Sequence, residues 1–402
     1  MGCDGKGACS APLTQTCSAP DVCNVNTDGK CGRPIYVHLA VGEYSACAVV
    51  SDGTLRCWGD NSYGELGLVG SQVRTIPVPV PGVSNARTVT VGWLHGCALL
   101  RDGQVDCWGY NCNGSAGCSF DSSLPHQWCT PKSAGSPVAQ ISAGSETSCV
   151  RLLDGTVECW GRNDVGQTGD GTFGFINHCG DTNIDRFDPV TTVGIRDSVD
   201  VVSAPWHGCA VVADGSLRCW GKNSDGQLGT GDTTAHLTAS PVVGIDGAGD
   251  DSFAVSVTAA AQHTCALMRD GSIRCFGLNT SGQLGVPGVE VSLGPVLTHP
   301  GLSASFVAAG YGYTCAVVSG SVACWGSNGF GQLGGGTFVD SPSPVVARLP
   351  AGVSVATVHA KHAFTCALSV DGRIFCWGQN YAGQLGIGTT ADSAVPVEVA
   401  AP

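Results

Sequence analysis

The thirteen residues Cys47–Gly59, CAVVSDGTLRCWG, decide the fold. Two apolar runs flank Asp52-Gly53, and the glycine can take the left-handed conformation that a tight three-residue hairpin loop needs. With Ser51, Asp52 and Gly53 as the loop, Cys47 falls directly opposite Cys57 on the paired strand. Directly opposed residues of an antiparallel pair lie within disulfide reach.

The same unit recurs along the chain. Cys-Trp-Gly begins at Cys57, Cys107, Cys159, Cys219, Cys324 and Cys376, and Cys275 opens a Cys-Phe-Gly variant, with spacings of 49 to 60 residues. Each copy has a second Cys upstream, giving Cys47/Cys57, Cys97/Cys107, Cys149/Cys159, Cys209/Cys219, Cys265/Cys275, Cys315/Cys324 and Cys366/Cys376. The Cys315/Cys324 pair has one residue fewer between its members. There Ser319-Gly320 suits a two-residue loop, so the register of the two Cys is kept. Seven cross-strand disulfides are therefore expected, each closing a short loop and contributing at most ~3 kcal/mol by chain entropy.

Downstream of each Cys-Trp-Gly comes Asn-x-x-Gly, usually followed by Gln-Leu-Gly, as in Asn223–Gly229, Asn279–Gly285, Asn328–Gly334 and Asn380–Gly386. Val- and Pro-rich runs such as Pro342–Val346 follow and read as outer strands. No segment has a sustained helical period. Each unit thus supplies about four short strands, and seven units of about 50 residues build an all-β, seven-bladed propeller. The strand at Ile35–Gly42 and the segment Val395–Val399 are expected to share one blade, closing the ring with both termini.

These motifs resemble the RCC1 repeat family, regulators of chromosome condensation, over about residues 35–402. The resemblance implies an RCC1-like propeller. It is similar too to the bacterial members of that superfamily, which include secreted propellers that bind and inhibit β-lactamases. The paired Cys in every unit departs from the nuclear pattern. Guanine nucleotide exchange on a small GTPase, which the resemblance also implies, needs a reducing compartment, and no exchange residue maps onto this chain.

Composition narrows the function further. The chain has 402 residues with 59 Gly and 23 Cys, and a net charge of -13 from 19 basic and 32 acidic residues. That balance disfavours nucleic-acid backbones and anionic membranes, which need clustered Lys and Arg. No stretch of about 18 apolar residues exists to insert in a bilayer, and Met1–Ser10 has no apolar leader pattern. So many Cys without metal-ligand spacing point to an oxidising compartment: extracellular, cell-surface or periplasmic. Neither metal nor cofactor is expected, and no catalytic motif is found.

Nine Cys lie outside the hairpins. Residues 1–34 read as a small Cys-rich, disulfide-held appendage containing Cys3, Cys9, Cys17, Cys23 and Cys31, an odd number that leaves one thiol to be accounted for. Insertions at Cys112–Thr130 and Gly171–Asp188 hold the other four, with Cys129–Cys179 and Cys112–Cys118 the expected pairs.

Within a four-stranded meander the first and third connections share one face. On that face the units stop resembling one another. Loops before the first Cys contribute Tyr44, Trp93, Trp206, Tyr311, Tyr313, His362 and Phe364; third connections contribute Tyr63, Tyr110, Phe330 and Tyr381; an insertion adds Trp128. Large aromatics of this kind concentrate in binding hot spots. His95, His207 and His263 recur two residues before a Cys and read instead as structural histidines bonded to a neighbouring strand. The expected role is a monomeric scaffold that binds a protein through the aromatic face. A carbohydrate-binding or carbohydrate-active propeller and the exchange factor are the alternatives.

Overall fold

The computed structural model describes residues 34–111, 113–117, 129–131, 136–174 and 186–402, together with the backbone of two short paired strands, Val22–Cys23 and Cys31–Gly32. The described residues contain no helix. They form seven consecutive antiparallel sheets arranged as a propeller.

Blade one comprises Tyr36–Val41, Ser45–Val50, Leu55–Gly59 and Arg74–Pro79, paired in that order from the inside out. Blade four repeats it with Ser198–Ser203, His207–Val212, Ser216–Gly221 and His236–Asp246. In blade two, among the described residues, the outer position holds a single bridge between Cys107 and Cys129. Inner strands line a central channel; outer strands face solvent.

All seven hairpin disulfides are formed as the spacing predicts, with Cα–Cα separations of 4.0–4.1 Å. Cys47 faces Cys57, and the shortened hairpin keeps Cys315 opposite Cys324. Its loop has Ser319 and Gly320 both at positive φ, the two-residue geometry that restores the register. The glycine of Cys-Trp-Gly is required for a separate reason. At Gly59 φ is +106°, and a Cβ would lie 2.3 Å from the Tyr44 carbonyl oxygen.

Ring closure differs from the expectation. Every blade is built from contiguous chain: Tyr36–Val41 heads blade one, and Ser393–Glu398 is the outer strand of blade seven beside Ile374–Gly378. Among the described residues no strand is exchanged between the ends: the first blade begins at an inner strand and the last ends at an outer one. Closure is by packing instead: Tyr36, Leu39 and Trp58 of blade one share a core with Phe364, Ile374, Leu385 and Val399. The Tyr36 hydroxyl donates to the Ala400 carbonyl at 2.9 Å, and the Trp58 indole N–H to that of Gln384 at 2.9 Å.

That indole bond is the general joint between blades. Trp108, Trp160, Trp220, Trp325 and Trp377 donate to the carbonyls of Glu65, Ser115, Gln167, Gln283 and Gln332, each in the preceding blade. The acceptor turns are held by their Asn: Asn223 Oδ1, for example, accepts from Leu228 N–H at 2.9 Å.

Candidate functional site

The first and third connections of the blades do converge on one face. The loop of Tyr44 abuts the third connection of its own blade, where Asp60 N–H donates to the Tyr44 carbonyl at 2.9 Å. The Asp-Gly turns lie at the other end: a Cβ on Gly53 would sit 2.8 Å from the Ser84 carbonyl oxygen, in the link to the next blade.

Just beneath the loop face runs a buried polar layer. His95 Nε2 lies 2.8 Å from Ser148 Oγ, His207 Nε2 2.8 Å from Thr264 Oγ1, and His263 Nε2 3.0 Å from Thr314 Oγ1, always reaching the next blade. Each hydroxyl donates onward to a turn carbonyl: Ser115, Gln227 and Gln283. The hydroxyl must therefore accept from Nε2–H, which leaves Nδ1 bare, and Nδ1 of all three rings has no partner. Burial holds the three imidazoles neutral, pushing His95 and His207 down to about 3 and His263 to about 4. These are structural histidines, as their recurrence predicts.

Two expected contact residues belong to this layer. Tyr313 occupies the histidine position in blade six, is fully buried, and donates its hydroxyl to the Phe364 carbonyl at 2.6 Å while accepting from Thr365 Oγ1 at 3.1 Å. Phe364 holds the same position in blade seven and is fully buried in the core that closes the ring. Neither can touch a partner. Both sit one strand position below the loop, where the side chain points between blades.

The other described candidates are accessible. Tyr311, Tyr381, Tyr63, Phe330 and Trp93 are exposed; Tyr44, Tyr110, Trp206 and His362 are half-buried. Trp128 and the pairs Cys129–Cys179 and Cys112–Cys118 lie outside the described residues, although Cys129 itself is disulfide-bonded. Tyr44 meets His362 edge-on at 5.0 Å between centroids and Tyr381 at 5.5 Å; Tyr311 lies 6.2 Å from His362. Tyr63 packs edge-on against Tyr110 at 5.3 Å. Trp206 sits beneath the Arg162 guanidinium at 4.8 Å, and Arg162 pairs with Glu146 and Asp164 at 2.7 Å each. His362 holds φ at +46°, a left-handed turn position that a non-glycine residue rarely takes. Its Nδ1 lies 3.1 Å from Gln379 Oε1, and its carbonyl accepts from Tyr311 N–H at 2.8 Å.

Trp93, Trp206, Tyr311 and His362 rim the mouth of the channel, a cavity of about 900 Å³ lined by the inner strands. Lys361, which sequence reasoning overlooked, spans that mouth. It stands where the other six blades carry Gly42, Gly92, Gly144, Ala204, Ala260 and Gly310. Small residues are needed there because neighbouring blades approach closely: a Cβ on Gly42 would lie 2.4 Å from the Gly92 carbonyl oxygen. The Lys361 side chain turns into the mouth and donates to the carbonyls of Val91 (3.0 Å), Ala143 (2.7 Å) and Gly144 (3.3 Å), tying blade seven to blades two and three. Burial pushes its ammonium down to about 8, with Glu43 acting against the fall. Aligning the copies residue by residue exposes this lysine as the one departure from a small residue.

Deeper in the channel Asp200 accepts from Gln140 Nε2 at 2.6 Å and from Val257 N–H at 3.0 Å, and burial raises its carboxyl. Burial lowers His38 to about 4 and His359 to about 3. Among the described residues no group of three or more His, Cys, Asp or Glu is placed to hold a metal ion.

Comparison with known proteins agrees with the repeat pattern. Two family models, both described as the regulator of chromosome condensation (RCC1) repeat, match. One covers residues 36–65, 86–115, 138–167, 199–227, 254–283 and 355–384; the other covers 52–99, 214–267, 319–368 and 371–402. The chain is 30% identical over 274 residues to the ultraviolet-B receptor UVR8 of Arabidopsis thaliana, covering 65% of this chain and 58% of that one. It is 29% identical over 278 residues to the human probable E3 ubiquitin-protein ligase HERC6, covering 66% and 26% respectively. It thus spans less than two thirds of these relatives. Among solved structures, human WBSCR16 superposes with a TM-score of 0.76 at 21% identity, covering 87% of this chain and 94% of that one. Yeast RCC1 (Prp20), in its complex with Kap60, gives 0.72 at 20% identity, covering 87% and 84%. At these identities the structural likeness concerns the fold.

Proposed function

The chain belongs to the RCC1 repeat family, and on that premise we propose that it is a protein-binding scaffold of the extracellular space or cell surface, which engages its partner through the loop face around the channel mouth. The observation that carries this reading is the convergence of Tyr63, Trp93, Tyr311, Phe330 and Tyr381, all exposed, on one end of a rigid ring. Exposed aromatics with few rotatable bonds lose little entropy on contact and fill partner pockets well. The scaffold beneath them is stapled in every blade, so the loops are held in place before binding. Seven hairpin disulfides suit an oxidising compartment. Yeast RCC1 (Prp20), a structural neighbour, binds proteins too: it is seen bound to Kap60, and its binding to Gsp1p and histones is described.

The test is affinity capture from the source's secreted or surface fraction, with the captured protein then purified and its affinity measured. Trp93→Ala and Tyr311→Ala should each weaken the purified pair about tenfold or more. Unchanged affinity in both variants sinks this choice of face. Mass spectrometry without reduction should find the seven hairpin links; free thiols at those positions would return the chain to a reducing compartment.

A further inference from the structure

The two halves of the loop face differ in what stands over their rings, and the proposed function does not use that difference. Around blades three and four the aromatic ring is already served by cations of this chain. Arg162 lies 4.8 Å and Lys222 5.9 Å from the Trp206 centroid. Around blades six, seven and one the rings of Tyr311, His362, Tyr381 and Tyr44 form a continuous cluster. Among the described residues no cation stands over any of them.

What stands beside them is negative. Glu43 and Asp60 both act on the Tyr381 hydroxyl, which burial first of all and then these charges and Tyr44 hold above the ordinary tyrosine range. Neither carboxylate has an ion pair among the described residues. Glu43 accepts from Ser145 Oγ, and Asp60 uses Oδ1 to accept from the amide and hydroxyl of Ser62. Lys361, whose ammonium feels Glu43, already donates to three backbone carbonyls.

We infer that Tyr44, Tyr311 and Tyr381, with Glu43 and Asp60, form the docking surface for a cationic side chain, a lysine or arginine in a basic segment of a partner protein. A ring face attracts a cation through its quadrupole, and a neighbouring carboxylate adds to that attraction. The net charge of -13 favours the approach of a basic segment over long range. An acidic partner would be repelled here, and a neutral glycan could offer the carboxylates hydroxyl donors but no charge. This inference rests on the loop face being a protein-binding surface.

The test is a fluorescence-anisotropy titration of labelled hexalysine against the full chain at low ionic strength, with hexaglutamate and a Gly-Ser peptide as comparators. Hexalysine should bind saturably and the comparators should not. Tyr381→Ala should weaken binding about 2–5-fold, the range of one exposed cation–ring contact. The pair Glu43→Gln with Asp60→Asn, which keeps the local hydrogen bonds, should weaken it at least as much. Asp250→Asn with Asp251→Asn removes the same charge from the opposite face and should weaken binding clearly less. Equal weakening by the two charge pairs means attraction to the whole molecule and overturns the inference, as does full binding by Tyr381→Ala. If hexalysine fails to bind while the affinity for the captured protein still depends on Trp93, the cationic inference falls and the protein-binding reading stands. If the Trp93 dependence is lost as well, both fall.

Discussion

Tyr311 and Tyr313 stand two residues apart in the same connection, yet one is 55% exposed and the other fully buried. They mark the border between two regions with different rules. Below it lies the inter-blade layer, where Trp, His and hydroxyl side chains occupy fixed repeat positions and each answers to a carbonyl or hydroxyl of the adjoining blade. Above it lie the outward loop positions, such as Tyr44, Trp93, Trp206, Tyr311 and His362, where the residue type changes from blade to blade and the side chains meet solvent. In this propeller recurrence marks structure, and its absence marks the surface free to specialise. An aromatic residue alone does not say on which side of the border it falls.

The strongest way to break that distinction is to treat both regions alike. Trp220→Ala removes a fully buried indole and its bond to the Gln167 carbonyl, and should lower the unfolding free energy by about 3–5 kcal/mol in urea denaturation. A loss under about 1 kcal/mol would mean the inter-blade joint is not a core contact.

Next in size is a pH effect within the layer. Glu65 stands where five blades carry Gln167, Gln227, Gln283, Gln332 and Gln384, and its Oε2 accepts from Tyr63 N–H as the glutamines accept from their own turns. Burial raises its carboxyl to about 7. A raised folded value means stability is fully present below the unfolded value and is lost as pH rises through about 7. Glu65→Gln should therefore gain about 1–3 kcal/mol at pH 8 and little at pH 4.5. The buried histidines work in the opposite sense. Their lowered folded values keep stability whole above pH 6.5 and erode it on acidification toward 4, by about 1.4 kcal/mol per pH unit for each ring. His207→Gln should flatten that slope in urea melts between pH 7 and 5.

Lys361→Ala places in blade seven the kind of residue the other blades carry. It should fold, and should lose about 2 kcal/mol through the bonds to Val91, Ala143 and Gly144. An unchanged melting temperature would show that packing alone closes the ring. The smallest effect on stability belongs above the border. Tyr311→Ala should shift the unfolding free energy by less than about 0.5 kcal/mol while weakening partner binding, which sharpens the contrast if both halves hold.

Much of this was legible in the residues. The paired Cys, the loop lengths that register them, the recurrent histidines and the single face for first and third connections all follow from spacing within one hairpin or one repeat. Tyr313 and Phe364 were misread because residue type was weighed above position: each stands two residues before its Cys, where His95, His207 and His263 read as structural and where the strand begins in every blade. Closure was misread because the segment before an inner strand belongs to the neighbouring blade, and a repeat boundary does not reveal where one sheet stops and the next begins. Lys361 stood out only as a departure from a small residue when the copies are aligned, and Glu43 and Asp60 gave no signal as single charged residues; their neighbours make all three informative.

The sequence by itself determined the blade: four strands, a hairpin stapled at opposed Cys, a recurrent Asn turn, and a Trp at one fixed position. Cross-strand neighbours are set by local spacing, and the side-chain period of two leaves little choice. The tertiary structure alone decided which loops meet. Curvature brings Tyr44 against Tyr381 from opposite ends of the chain, lets Lys361 reach across the mouth to blades two and three, and sets Arg162 over Trp206 while Glu43 and Asp60 flank Tyr381. Those meetings depend on a ring closing through packing between whole blades, a distance over which sequence order carries no geometry.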